Sequence, residues 1–167
     1  SYKITPKEFD IWMNILNQVE ESVLWLLESN EWAEENLKKE AQKRGVNINR
    51  LVYANKLPHK EHLARLQLAD LFIDSFNINA HTTASDVVRM GIPIITLIGR
   101  SFPSRVCASI LEQVNLSKLV AKTNEQFEEK ATYFGNNRNK LLNDDFRKTI
   151  ENPFLYFEFV MKLFLRN

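Results

Sequence analysis

A doubly wound, parallel α/β sheet of the Rossmann type is the fold this sequence predicts. Short apolar runs alternate with amphipathic helical stretches as far as Ala121. The runs are continuous, as expected of parallel strands covered on both faces, and not alternating. Unusual polar residues gather just after the runs, where such sheets bind ligands. Alternating strands and helices joined by right-handed crossovers build this sheet and few others.

Thr5-Pro6-Lys7-Glu8 reads as a capping box with proline at the first helical position. Phe9, Trp12, Met13 and Leu16 then share one helical face. Ser22–Leu27 is the first apolar run and is expected to be a strand buried on both faces. A polar helix follows over Glu31–Arg44, with Ala33, Leu37 and Ala41 four apart and Gly45 as its stop. Arg50–Ala54 is the second strand, Pro58–Gln67 a short helix and Ala69–Phe76 the third strand. The loop Asn77–Ala80 leads into a helix over His81–Met90, which Gly91 ends. Ile92–Ile98 is a strand, Ser104–Val114 a helix and Lys118–Ala121 a short last strand. Beyond Thr123 the chain reads as helix, over Asn124–Phe134, Asn137–Thr149 and Phe154–Phe164. Residues 1–122 are thus expected to form the Rossmann-like domain and 123–167 a helical C-terminal tail.

Composition narrows the function. The chain has 167 residues, 44% hydrophobic and 26% charged, enough apolar content for a core and too much for disorder. Its net charge of +1 leaves no electrostatic footprint for nucleic acid or an acidic membrane. No apolar run reaches the ~18 residues of a membrane span, and no signal peptide is visible. The single cysteine, Cys107, forbids an intrachain disulfide and fits a reducing, cytoplasmic setting. Its helical, apolar surroundings suit a core residue. The start at Ser1, with a helix almost at once, suggests a piece of a longer protein.

The segment Asn79–Asp86, NAHTTASD, follows a strand and opens a helix. Free N–H groups and the helix dipole favour phosphate there. Thr82 and Thr83 add hydroxyl donors, His81 can donate to a phosphate or sugar oxygen, and Asp86 can accept from a ribose hydroxyl. On spacing alone, a plain helix cap with His81 packed beside it fits equally well. No Gly-rich phosphate cradle is present. In KLPHKEHLAR, His62 and Arg65 are three apart and share a helix face, where one can stack on a base and the other bond its carbonyl. A solvated amphipathic helix is the plainer reading. Arg105 suits a structural tie between loops. His59, Glu61 and His62 lack the further ligands of a metal site, so no metal is expected.

The string LPHKEHLARLQLADLFIDSFNINAHTTASDVVRMGIPIITLIGRSFPSRVCASIL resembles glycosyltransferase family 41. Its HTT-x-x-D and SRV-x-A-S blocks, in this order, carry the likeness, which runs from about Tyr2 to Ala121. The resemblance implies the C-terminal, nucleotide-holding half of a GT-B enzyme, a protein O-glycosyltransferase moving N-acetylglucosamine from UDP-GlcNAc to Ser or Thr. By the same resemblance, Lys3 contacts the donor diphosphate and helps neutralise the leaving group. Leu57 reads the uracil edge through its backbone, His62 lies against the base and Arg65 at its far side. Thr82 and Thr83 hold the phosphates and Asp86 the ribose. His59 stands where well-known members carry a lysine beside the ribose, a place adjacent Lys60 could fill. No cofactor or metal is implied. The protein acceptor is expected to meet mainly an N-terminal half and tetratricopeptide repeats outside this chain, leaving the 167 residues inactive alone. GDP-fucose or UDP-glucose as donor, and a non-catalytic binding scaffold, remain as alternatives. The helix over Phe154–Phe164 is apolar almost all round, so it is expected to pack on the missing half, or to drive self-association without it.

Overall fold

The structure is a computed structural model and describes residues 3–141. Two compact units divide the chain, Ser1–His62 and the remainder from Leu63.

The first unit begins with α1, Pro6–Gln18. Both halves of the expected capping box form. Glu8 N–H donates to Thr5 Oγ1 at 3.4 Å, and Thr5 N–H donates to Glu8 Oε2 at 2.9 Å. Phe9, Trp12, Met13 and Leu16 are buried, joined by Ile11 and Ile15. Strand β1, Leu24–Leu27, runs parallel to β2, Leu51–Ala54, with Leu24 opposite Leu51. Between them lies α2, Glu31–Lys43, started by the Asn30 side chain, which accepts from Ala33 N–H at 2.8 Å. Gly45 follows with φ of 75°, the left-handed stop the sequence called for. Arg44 ties α2 to α1, its Nε donating to Asp10 Oδ1 at 2.6 Å.

One expectation for this unit fails. The Ser22–Leu27 run is not buried on both faces: Leu24 is buried, Trp25 and Leu26 are half-buried, and Val23 and Leu27 are 55% and 60% exposed. A continuous apolar run reports strand length but not which faces are covered.

Helix α3 spans His59–Leu66 and carries the chain into the second unit. There, β3 (Phe72–Ile73), β4 (Ile94–Leu97) and β5 (Val120–Ala121) form a parallel sheet in that order. Ile94 and Ile95 of β4 are fully buried, as is the polar Thr96. Helices α4 (Thr82–Arg89) and α5 (Val106–Gln113) pack against β4. Helix α6 (Asn124–Asn136), the first of the expected tail, packs on β4 and β5. It buries Phe127 completely, with the Phe76 ring edge-on at 4.9 Å. A short α7, Arg138–Leu141, follows. The expected helix over Phe154–Phe164, and most of that over Asn137–Thr149, lie outside the described residues.

The third strand is shorter than the expected Ala69–Phe76. Its ladder covers Phe72 and Ile73 alone. Ala69 N–H closes a turn on Leu66 O at 2.9 Å, and beyond Ile73 the Asp74 side chain takes the next amide, Ser75 N–H, at 2.8 Å. Asp74 N–H still donates to Ile95 O of β4 at 3.0 Å, and the ladder ends there. Likewise the helix expected from Ser104 begins at Val106, after a 3-10 turn over Phe102–Ser104.

Candidate functional site

The carboxyl ends of β3 and β4 lead into two loops that build one surface. Asp74 follows β3 directly and is 1% exposed. Its Oδ1 accepts from Ser75 N–H at 2.8 Å and from Ala80 N–H at 2.7 Å, while Oδ2 accepts from Thr96 Oγ1 at 2.8 Å. The loop between is cross-braced. Ser75 Oγ donates to Ile78 O at 2.6 Å, and Asn79 Nδ2 donates to Ser75 O at 2.7 Å. The loop after β4 grips it from the side, where Pro103 O accepts Asn79 N–H at 2.8 Å and lies 3.3 Å from His81 Nε2. That second loop is itself tight. Gly99 N–H donates to Ser104 O at 2.8 Å, and Arg105 Nη1 donates to Gly99 O at 3.2 Å, a tie within this one loop and not the one between loops expected of this arginine.

This framework delivers the chain to α4 at a fixed point. His81 is the residue at its cap, and its side chain makes no capping hydrogen bond. In α1, α2 and α6, by contrast, Thr5, Asn30 and Thr123 supply a side-chain oxygen to the first turn. A plain cap by threonine or aspartate is therefore not what Asn79–Asp86 forms. Thr82 and Thr83 occupy the first two helical positions and are exposed. Asp86 lies one turn further and is half-buried, as is His81. Uncapped amides, the positive end of a helix dipole and two exposed hydroxyls together suit an anion with several oxygens.

The other expected residues are placed as follows. Lys3 lies in the turn before α1 and is half-buried. Leu57, half-buried, is in the loop after β2, and His59 opens α3 with its side chain exposed, as is Lys60. His62 and Arg65 lie one turn apart on α3, both half-buried. Lys3, Leu57, His59 and His62 belong to the first unit; Arg65, His81, Thr82, Thr83 and Asp86 belong to the second. Among the described residues, no group of three or more His, Cys, Asp or Glu is arranged to hold a metal ion.

Asp74, Thr96 and Pro103 shape the loop, and the sequence offered no role for them. A signal existed for two of them. Asp74 and Thr96 are polar residues set in the apolar runs LFID and IITL, and a buried polar residue demands a partner.

Parallel strands flanked by helices, with the turn to α4 following the carboxyl end of a strand, define a Rossmann-like α/β protein. The chain belongs to glycosyl transferase family 41, whose sequence profile matches residues 1–152. It is 37% identical over 142 residues to the Caenorhabditis elegans UDP-N-acetylglucosamine-peptide N-acetylglucosaminyltransferase, a match covering 85% of this chain and 12% of that protein. It is 33% identical over 141 residues to Arabidopsis thaliana SEC, described as a probable enzyme of the same kind, covering 84% of this chain and 14% of SEC. Its fold matches that of a mutant Thermobaculum terrenum O-GlcNAc transferase with a TM-score of 0.79 at 23% identity, over 96% of this chain and 33% of the other. The expected family and the Rossmann-like fold of a GT-B enzyme are thus found. The chain spans about an eighth of the length of these two curated relatives.

Proposed function

We propose that this chain is the donor-binding part of a protein O-glycosyltransferase that takes N-acetylglucosamine from UDP-GlcNAc. The observation that carries the reading is the uncapped start of α4, with Thr82 and Thr83 exposed upon it, in a member of this family. The names of the C. elegans and Arabidopsis relatives support the donor and the protein acceptor. In this reading, Thr82 and Thr83 hold the diphosphate, Asp86 the ribose and His81 a phosphate or sugar oxygen. Leu57, His62 and Arg65 surround the base, with His59 or Lys60 near the ribose. Lys3 is the catalytic cation. Transfer places new negative charge on the departing diphosphate, and Lys3 with the two hydroxyls and the helix start offsets it. Direct charge stabilisation of this kind needs no metal. The acceptor side comes from segments such as tetratricopeptide repeats, and the setting is cytoplasmic, as a lone buried thiol suits.

Calorimetric titration with UDP and with GDP tests the reading. UDP is expected to bind more tightly than GDP, and Thr82→Ala and Lys3→Ala each to weaken UDP by about tenfold, the worth of one charge-assisted hydrogen bond. Equal UDP binding by wild type and both variants sinks the site. Tighter binding of GDP transfers the proposal to a GDP-sugar such as GDP-fucose.

A further inference from the structure

We propose that Asp74 is a positioning residue for the diphosphate site, holding Ala80 N–H so that His81, Thr82 and Thr83 are presented in one arrangement. The inference rests on the donor-binding reading above. Its geometry lies wholly within the second unit. One carboxylate oxygen takes the amides at both ends of the loop, Ser75 N–H at 2.8 Å and Ala80 N–H at 2.7 Å. The other is fixed from β4 by Thr96 Oγ1 at 2.8 Å. The loop is thus closed on a single side chain anchored in the sheet. Ala80 immediately precedes the residue at the α4 cap and is itself buried, so its amide sets where the helix starts.

Burying a carboxylate is costly, and such a group is retained where specific partners hold it. Here the partners are two loop amides, the Thr96 hydroxyl and the Cys107 thiol. The demands of the loop and of Thr96 are geometric, so asparagine can meet them: its Oδ1 accepts both amides and its Nδ2 donates to Thr96 Oγ1. The position of the oxygen, more than its charge, is what the loop needs. A base-side contact, made elsewhere, does not depend on it.

The test uses the full 167-residue chain, labelled with nitrogen-15, titrated with UDP and with uridine, which lacks the phosphates. Asp74→Ala is expected to weaken UDP by about tenfold while leaving uridine unchanged, and to speed hydrogen exchange at the Ala80 amide. Asp74→Asn is expected to restore UDP affinity to within about twofold of wild type. Equal losses for UDP and uridine in Asp74→Ala indicate general destabilisation and overturn the proposal. So does an Asn variant as weak as the Ala variant, or an Ala variant that binds UDP normally. If Asp74→Ala does not fold, Asp74→Ser, too short to reach Ala80 N–H, replaces it under the same criteria. A wild-type chain that fails to bind UDP counts against the donor-binding reading alone. Ala80 exchange in the variants then still decides whether Asp74 holds the loop, and unchanged exchange refutes that.

Discussion

Asp74 is where burial and hydrogen bonding compete within one residue. Burial pushes its carboxyl up from an ordinary 3.8 to about 6, against the hydrogen bonds from Ala80, Thr96, Cys107 and Ser75 that pull it down. The folded state therefore binds a proton more readily than the unfolded state. This group's contribution to stability is full below pH 4 and is lost as pH rises through about 6. A shift of this size corresponds to no more than ~3 kcal/mol. Urea unfolding of wild type and Asp74→Asn at pH 4.5 and 7.5 should show the wild type losing stability relative to the variant at the higher pH. Parallel behaviour would place the carboxyl at an ordinary value. Neighbouring Cys107 is fully buried, and burial followed by the nearby Asp74 charge raises its thiol well above the ordinary range. Thiolate is the reactive form, so native Cys107 should resist disulfide reagents at pH 8 and react once urea unfolds the chain.

Among the elements, α1 and α4 begin in opposite ways, and each start has its own consequence. Thr5 and the fully buried Glu8 close α1, with Thr5 Oγ1 donating to Glu8 Oε2 at 2.6 Å. Thr5→Ala should cost about 1–2 kcal/mol in thermal or chemical unfolding, by removing a cap and a partner of a buried carboxylate. Its α4 counterpart, Thr82→Ala, should leave stability within ~0.5 kcal/mol while weakening UDP, because that side chain is exposed and caps nothing. A melting curve beside a UDP titration separates the two kinds of helix start. The loop after β4 tolerates still less change. A Cβ on Gly99 would overlap Ser104 Oγ and Cβ. Gly99→Ala should therefore destabilise by about 1–3 kcal/mol, as overpacking does.

For the molecule as a whole, the proposed division of labour leaves donor binding in these residues and acceptor binding elsewhere. The two curated relatives named above are about eight times longer than the stretch they share with this chain. The purified chain is accordingly expected to bind UDP yet transfer no sugar to peptides. Radiolabelled transfer from UDP-GlcNAc by the chain alone would overturn that division. Among the described residues, no helix is long and apolar enough to cross a membrane.

What the sequence by itself determined was the succession of elements and the family. Helix periodicity, the Thr5–Glu8 box and the stops at Gly45 and Gly91 are local features, and local backbone chemistry fulfilled them. The HTT-x-x-D and SRV-x-A-S blocks identified the family because they were contiguous in the chain. Tertiary structure alone decided which faces of Leu24–Leu27 are covered and how short the third strand is. It also decided that His81, not a capping hydroxyl, starts α4. The start of α4 depends on residues outside the helix: Asp74, held from β4 by Thr96, takes Ala80 N–H, and Pro103 O takes Asn79 N–H. Buried hydrogen-bond partners are chosen by three-dimensional proximity, which no periodicity encodes. That is why the helix start at Thr82 and Thr83 could be read from the chain, and the partners that brace Asp74 behind it could not.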